Sequence, residues 1–273
     1  MLHTTRIGSR PPRVVFLHGL FGQGKNWTAI ARGLLPEVSS LLVDLPNHGR
    51  SSWTETFSYR GMADAVAEEI SSLDAPPVLV GHSMGGKTAM TLALTHPRSV
   101  TALVIIDIAP DDSSHGYGFG RLVDTLRNAP ISEFSDRIEA DRSLAAQLPD
   151  PSLRAFFLQN LHRSKGGFKW LLNLELIREA LPDISGWPTG LQGPSDVPVL
   201  WVRGGESGYV RDEHVRPMTR LFPRTHLVTI PGAGHWVNSD APEELIGAIR
   251  EFLTDLRVII RGGPVGPGLV SRR

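Results

Sequence analysis

Short apolar runs alternate with longer amphipathic stretches through most of the chain. Each run is too short for a buried helix and is rich in valine, leucine and isoleucine, which is typical of strands buried on both faces of a parallel sheet. The runs occupy residues 14–17, 41–43, 78–80, 103–106, 197–202 and 227–230. The stretches around them predict helices at residues 27–35, 59–73, 87–96, 211–222 and 241–256. This order predicts an α/β fold with a doubly wound, mostly parallel sheet, and Asp240 is expected to cap the last helix.

The alternation is interrupted between residues 113 and 193. That stretch shows helical periodicity, several prolines and no strand-like run, so it predicts a helical cap inserted into the core. Ligands bind beyond the carboxyl ends of the strands in such sheets, and a cap there would shape the substrate pocket. We therefore expect a core of residues 1–112 and 194–260, a cap of residues 113–193 with a hinge at 116–120, and a disordered Gly/Pro-rich tail at 261–273.

The amino-acid composition excludes several classes of function. Lysine plus arginine and aspartate plus glutamate each number 28 in 273 residues, so the chain lacks the basic excess that nucleic-acid binding needs. Cysteine is absent, which excludes disulfides, thiolate metal sites and a cysteine nucleophile. The amino terminus is polar, and no apolar run approaches the ~20 residues that span a bilayer. We expect a cytoplasmic protein with no nucleic-acid partner and no membrane insertion, and we leave open whether it forms a homodimer.

A glycine-flanked serine directly follows one of the predicted strands. Ser83 lies in Gly81-His-Ser-Met-Gly85, between the strand at 78–80 and the helix predicted from residue 87. The bare Gly-x-Ser-x-Gly pattern is common, but a sharp strand-to-helix turn lifts its serine above the sheet in a strained conformation. Ser83 is therefore the predicted nucleophile, and the alternative is an ordinary glycine-rich turn.

A serine nucleophile needs a base, and the base needs an acid that orients it. His235 follows the last strand in a glycine-flanked loop and is the predicted base. Asp107 and Glu206 compete as the acid, because the loop after the strand at 197–202 holds Ser207 at the usual aspartate position. Asp107 is favoured, since it ends the strand next to the nucleophile helix and its chain order fits a serine, acid, histidine series.

The loop at residues 18–22 follows the first predicted strand and predicts an oxyanion hole. The backbone N–H groups of Leu20 and Met84 are the expected donors, with Phe21 as the alternative to Leu20. No metal or cofactor is implied by these residues. The side chains expected in the substrate pocket are aromatic: Phe21, Trp170 and Trp236.

One motif points to another class of protein. Residues 19–25 fit the Gly-x-x-x-x-Gly-Lys pattern of a phosphate-binding loop, and Asp44 ends the next strand. A phosphate loop needs a serine or threonine after the lysine to bind magnesium, and this chain has Asn26. A nucleotide-binding function would also leave Ser83 and His235 without roles, so we prefer the hydrolase interpretation.

Taken together, the motifs resemble those of the α/β-hydrolase superfamily over residues 2–257. The combination of His-Gly-Leu-Phe-Gly at 18–22, Asn-His-Gly at 47–49, Gly-His-Ser-Met-Gly-Gly-Lys at 81–87, Asp-Ile-Ala-Pro at 107–110 and Gly-Gly-Glu-Ser-Gly-Tyr-Val at 204–210 is similar to that of the YbfF-type acyl esterases. The likeness in the cap is slight. The resemblance implies Asp107 as the acid and short-chain esters or acyl thioesters as substrates. A serine at position 83 argues against the haloalkane dehalogenases and epoxide hydrolases, which use aspartate there.

We therefore expect a carboxylesterase-type serine hydrolase that works through a Ser83-His235-Asp107 triad and an acyl-enzyme on a small-molecule ester or thioester. Two alternatives remain open at this point. A lyase or carbon–carbon bond hydrolase could use the same triad on another substrate, and a non-catalytic ligand receptor could be built on the same scaffold.

Overall fold

The computed structural model describes residues 1–112 and 118–260, and its centre is a seven-stranded sheet. The strands of this sheet are β1 His3–Ile7, β2 Val14–Leu17, β3 Ser40–Asp44, β4 Val78–His82, β5 Ala102–Ile106, β8 Val199–Gly204 and β9 Thr225–Ile230. Their spatial order is β1-β3-β2-β4-β5-β8-β9. All neighbouring pairs are parallel except β1 with β3. The predicted doubly wound, mostly parallel sheet is confirmed.

The edge strand β1 is the part of the sheet that the apolar pattern did not predict. Its five residues are exposed or half-buried, so the segment carries no apolar run. It pairs antiparallel with β3, from His3 opposite Asp44 to Ile7 opposite Ser40. The inner strands β2, β3, β4 and β5 are buried along their whole length, which is why each contains an uninterrupted apolar run.

Helices cover both faces of the sheet. They are α1 Thr28–Gly33, α2 Tyr59–Ile70, α3 Met84–Thr95, α9 Val215–Leu221, α10 Val237–Asp240 and α11 Pro242–Ile260. Helices α2 and α3 bury their apolar side chains in one core cluster, whereas α1 and α11 contribute to a second cluster. Alternate residues of β2 enter each cluster, with Val15 in the first and Phe16 in the second, so the two clusters lie on opposite faces.

The predicted cap of Asp240 on the last helix is wrong. Asp240 is the final residue of α10, and α11 begins two residues later with its proline at the first position. The Asp240 carboxylate instead accepts a hydrogen bond from the Gly234 N–H at 2.9 Å. Its contribution is therefore to hold the loop that carries His235.

The chain between β5 and β8 forms the inserted segment. Its elements are α4 Phe119–Asn128, α5 Arg137–Leu144, α6 Pro151–Leu158, β6 Leu161–Ser164, β7 Gly167–Trp170, α7 Leu174–Glu179 and α8 Leu181–Ser185. The inserted helical segment is confirmed, but the expectation that it contains no strand is wrong, because β6 and β7 pair as an antiparallel hairpin. Most of β6 is exposed, and for that reason no apolar run marks it.

The inserted segment has its own apolar core, to which helices α4 to α8 and the hairpin all contribute. Its domain boundaries at residues 113 and 193 stay a prediction. The expected hinge at 116–120 lies partly outside the described residues, and the expected disordered tail at 261–273 lies wholly outside them. None of the helices within residues 1–112 and 118–260 combines the length and the apolar character that crossing a bilayer requires.

Candidate active site

Ser83 is the single residue that joins strand β4 to helix α3. Its φ of 51° and ψ of −117° lie in a region that non-glycine residues rarely occupy, which marks a strained turn. A Cβ at position 81 would lie 2.4 Å from the carbonyl oxygen of Gly85, and one at position 85 would lie 2.4 Å from a carbonyl oxygen of β2. Both flanking glycines are therefore required by close backbone approach, as the motif predicts.

Asp107 contacts His235 directly. Asp107 follows β5, is fully buried, and places Oδ2 2.8 Å from Nδ1 of His235. Its Oδ1 accepts a hydrogen bond from the Gly204 N–H at 3.0 Å, and the Ser207 hydroxyl donates a short hydrogen bond to Oδ2. The side chain of Glu206 is exposed to solvent. The structure thus brings Asp107, and not Glu206, to His235, while the serine at the usual acid position supports the Asp107 carboxylate.

Two further side chains fix the orientation of His235. The ring of Tyr209 stacks on the imidazole, with centroids 3.7 Å apart and planes 15° from parallel. The Nε2–H of His82 donates to the His235 carbonyl oxygen at 2.8 Å. Burial, together with the neighbouring His235, holds the pKa of His82 well below its ordinary value, so His82 stays neutral beside the site.

Neither His82 nor Tyr209 was predicted from the sequence to be a functional residue. His82 is adjacent to Ser83, and Tyr209 lies in the same 204–210 motif as Ser207, so both positions were close to recognised signals. Their contacts with His235 could not be predicted, because these residues follow different strands and come together only at the edge of the folded sheet.

Ser83 and His235 line one cavity of about 370 Å³, which lies between the strand ends and the inserted segment. Helices α4 and α6 contribute its apolar wall: Phe119, Leu122, Leu153, Phe156 and Phe157. Of the lining residues that the structure describes, none is lysine, arginine, aspartate or glutamate. The cavity is therefore suited to an uncharged, apolar group.

The predicted pocket residues differ in their positions. Phe21 and Trp236 both line the cavity, and Trp236 remains 45% exposed at its margin. Trp170 is not among the lining residues, so its prediction is corrected. Its half-buried indole packs against the core of the inserted segment, where Nε1–H donates to the Leu126 carbonyl oxygen at 3.0 Å.

The predicted oxyanion loop is a tight turn beside the serine. The Gly22 N–H donates to the Gly19 carbonyl oxygen at 3.0 Å, and Phe21 has a φ of 64°. Neither the Leu20 nor the Phe21 N–H donates to a backbone oxygen of a described residue. Met84 is the first residue of α3, where helical N–H groups have no partner within the helix. A Cβ at position 19 would lie 3.4 Å from Cβ of Ser83, which shows how close the turn approaches.

The same segment does not form a phosphate-binding loop. The Asp44 carboxylate accepts hydrogen bonds from the Gly24 N–H at 2.7 Å and from the Arg50 N–H at 2.9 Å, so it organises backbone. The Lys25 ammonium donates to a carbonyl oxygen of the inserted segment at 3.3 Å. The groups that a nucleotide would need are thus committed to the fold, and the phosphate-loop alternative is wrong.

Comparison with known proteins identifies the family of the chain. Residues 12–242 match the family model described as alpha/beta hydrolase fold. The chain therefore belongs to the α/β-hydrolase family, and its relatives place it among the esterase and lipase enzymes of the serine-hydrolase class.

Individual relatives cover nearly the whole chain. It is 38% identical over 249 residues to the sn-1-specific diacylglycerol lipase ABHD11 of Mus musculus, a match that spans 89% of this chain and 81% of that protein. It is 31% identical to esterase YbfF of Escherichia coli, over 89% of this chain and 93% of that one. A solved structure described as a marine microorganism esterase is 35% identical, with a TM-score of 0.88 over 92% of this chain and 98% of that chain. The resemblance to the YbfF-type esterases is confirmed.

Proposed function

We propose that the chain hydrolyses uncharged carboxylic esters, with Ser83 as nucleophile, His235 as base and Asp107 as the acid that orients the base. The observation that carries the proposal is the 2.8 Å contact between Asp107 Oδ2 and His235 Nδ1 at a cavity that Ser83 also lines. The contact holds Nδ1 protonated, which leaves Nε2 free to accept a proton.

The reaction then proceeds in two steps, acylation of Ser83 and hydrolysis of the acyl-enzyme. Ser83 Oγ forms a bond to the ester carbonyl carbon while its proton passes to His235 Nε2, and the carbonyl π electrons move onto the oxygen. The N–H of Met84 and that of Leu20, with Phe21 as the alternative, stabilise this oxyanion. When it collapses, the alcohol leaves with the proton from His235. Water then repeats the sequence on the acyl-enzyme and releases the acid.

The cavity supports an apolar acyl group as the part of the substrate that enters it. Its wall from α4 and α6 is aromatic and aliphatic, and the described lining offers no cation to pair with a carboxylate. The names of the relatives, a diacylglycerol lipase and an esterase, agree with ester substrates. An acyl thioester is a second leaving-group chemistry that the same acyl-enzyme permits.

A series of 4-nitrophenyl esters with increasing acyl length tests this proposal. We expect kcat/KM to rise with chain length until the cavity is filled and then to fall, because each buried methylene contributes ~0.8 kcal/mol. A hemisuccinate ester of the same length should be a poor substrate, and Ser83→Ala should abolish turnover. Binding of the esters without turnover in the wild type would instead indicate a receptor. Turnover that persists in Ser83→Ala would exclude the proposed nucleophile.

A further inference from the structure

One buried side chain of the inserted segment is hydrogen-bonded to the predicted oxyanion turn at residues 18–22. Asn160 lies between α6 and β6 and is fully buried. Its Nδ2 donates to the Phe21 carbonyl oxygen at 2.9 Å and its Oδ1 accepts from Gln23 Nε2 at 2.6 Å. Its backbone is paired within the inserted segment, with the N–H bonded to the Phe157 carbonyl oxygen and the carbonyl oxygen to the Leu171 N–H. Asn160 therefore joins the two parts of the molecule at the turn.

The Phe21 side chain also packs against the inserted segment. It belongs to the apolar core of that segment, where its ring meets the edge of Phe157 at a centroid distance of 5.2 Å and lies 6.2 Å from Phe119. Both the side chain and the carbonyl of Phe21 are thus fixed by residues that follow β5 in the chain. Its φ of 64° persists only where the surroundings determine it, since a free non-glycine residue rarely adopts that conformation.

The residues that follow the turn make the same connection. Gln23 Nε2 and Lys25 Nζ each lie 3.3 Å from the Gln159 carbonyl oxygen, and Asn26 Nδ2 donates to Gln159 Oε1 at 2.9 Å. Residues 21–26 are therefore bonded to the pair formed by Gln159 and Asn160. A shift of this pair would be transmitted directly to the turn.

We propose that Asn160 is a positioning residue of the oxyanion hole, through which the geometry of the hole depends on the position of the inserted segment. This inference rests on the proposed function. In general, an oxyanion donor stabilises the transition state only when it lies about 2.7–3.1 Å from the oxyanion. Without the Asn160 amide, the Phe21 carbonyl loses its hydrogen bond to the inserted segment. The strained turn then relaxes, and its N–H groups move from the position that stabilises the transition state.

A matched pair of substitutions separates this role from general stability. Asn160→Asp keeps the shape of the side chain but replaces the donor to Phe21 with an oxygen that repels the carbonyl. Asn173→Asp makes the same chemical change at another junction, where Nδ2 of Asn173 donates to Oδ1 of Asn47 at 3.1 Å. The aspartate at 173 retains the oxygen that caps α7. We expect Asn160→Asp to lower kcat by about 10- to 100-fold with little change in KM, which is less than the loss of a whole oxyanion donor, and Asn173→Asp to leave kcat near wild type.

The decisive readout is the affinity for an alkyl trifluoromethyl ketone. Ser83 adds to its carbonyl carbon and forms an oxyanion in the hole, whereas the matching methyl ketone binds without one. Asn160→Asp should lower the affinity for the trifluoromethyl ketone by the same factor as it lowers kcat/KM. The affinity for the methyl ketone should not change. Gln23→Glu, which removes the donor to Asn160 Oδ1, should act in the same direction and be non-additive with Asn160→Asp.

The outcomes distinguish the inference from the function on which it rests. If wild-type protein neither hydrolyses esters nor binds the trifluoromethyl ketone more tightly than the methyl ketone, the proposed function fails. If wild type does both, the inference is overturned when Asn160→Asp weakens both ketones equally, or when Asn160→Asp and Gln23→Glu both keep wild-type kcat and ketone affinities. If Asn160→Asp does not fold, Gln23→Glu decides alone, and wild-type kcat and ketone affinities in that variant overturn the inference.

Discussion

The Asp107 carboxylate reaches His235 across the width of one strand. Oδ2 lies 2.8 Å from Nδ1, although Asp107 follows β5, His235 follows β9, and β8 lies between those strands in the sheet. The left-handed backbone of Asp107, with a φ of 48°, turns its side chain towards the neighbouring strand ends. Its second oxygen binds the Gly204 N–H at the end of β8. The carboxylate is thus held on both sides before it meets the imidazole.

The acid assignment predicts unequal effects of two neutralising substitutions. Asp107→Asn should lower kcat by roughly 10³- to 10⁴-fold, because an amide at that position no longer holds Nδ1 protonated. Glu206→Gln should leave kcat near wild type, since the Glu206 side chain is exposed. Steady-state kinetics on one ester, with circular dichroism to verify folding, provide the comparison. A large loss only in Glu206→Gln would reverse the assignment.

Ser207 is expected to support the carboxylate through its hydroxyl. Ser207→Ala removes a hydrogen bond to a charged group, an effect on the order of 1.5 kcal/mol, or about tenfold in kcat. Ser207→Thr keeps the hydroxyl and should recover most of the rate. Equal rates for wild type and Ser207→Ala would show that the short contact to Asp107 contributes nothing to catalysis.

The stacking of Tyr209 predicts a contribution to catalysis from an aromatic ring. Tyr209→Leu should reduce kcat by up to about tenfold, because aromatic pairs contribute ~0.5–1.5 kcal/mol beyond their burial. Tyr209→Phe keeps the ring and is the control. The two variants should therefore differ in kcat for the same ester, and identical kinetics would exclude a role for the ring in holding His235.

The buried ammonium group of Lys87 should make the stability of the fold depend on pH. Its side chain is buried, and Nζ donates to the carbonyl oxygens of Asp111, Ser185 and Gly186 at the two ends of the inserted segment. Burial lowers the pKa of Lys87 to about 8 from 10.5, although Asp111 and Asp112 oppose the shift. Between these values the unfolded chain binds more protons than the folded chain, so this group makes the free energy of unfolding rise with pH.

Lys87→Met removes this titration while preserving much of the side-chain volume. The free energy of unfolding should therefore rise less steeply between pH 8 and pH 10.5 in the variant than in the wild type. Urea unfolding at a series of pH values measures both slopes. A wild-type slope equal to that of Lys87→Met would mean that the buried ammonium keeps its ordinary pKa.

Most of the sheet could be predicted from the sequence because the inner strands are buried on both faces and therefore contain uninterrupted apolar runs. The edge strand β1 and the hairpin β6–β7 escaped prediction because β1 has no buried residue and the hairpin buries only Leu161 and Phe168, which leaves no apolar run to detect. Helix α3 was predicted at residue 87, but it begins at Met84, since the glycines that weaken helix propensity are needed for close packing at the nucleophile turn.

For the site, local motifs located Ser83, His235 and the oxyanion turn, and the structure brings these to one cavity. The contacts of Tyr209 and Asn160 depend on tertiary approach between distant segments, which no local pattern encodes. Trp170 was misplaced for the same reason, because the order of packing inside the inserted segment decides which aromatic faces the cavity. The cytoplasmic location and the homodimer stay predictions.

The central claim is that His235 activates Ser83, and the rate of reaction with a fluorophosphonate tests it most directly. Wild-type protein should form one adduct, mapped by mass spectrometry to Ser83, and His235→Ala should form it about 10³-fold more slowly or worse. His226→Ala changes an exposed histidine of β9 and should react at the wild-type rate. An adduct on another residue, or equal rates for wild type and His235→Ala, would contradict the account.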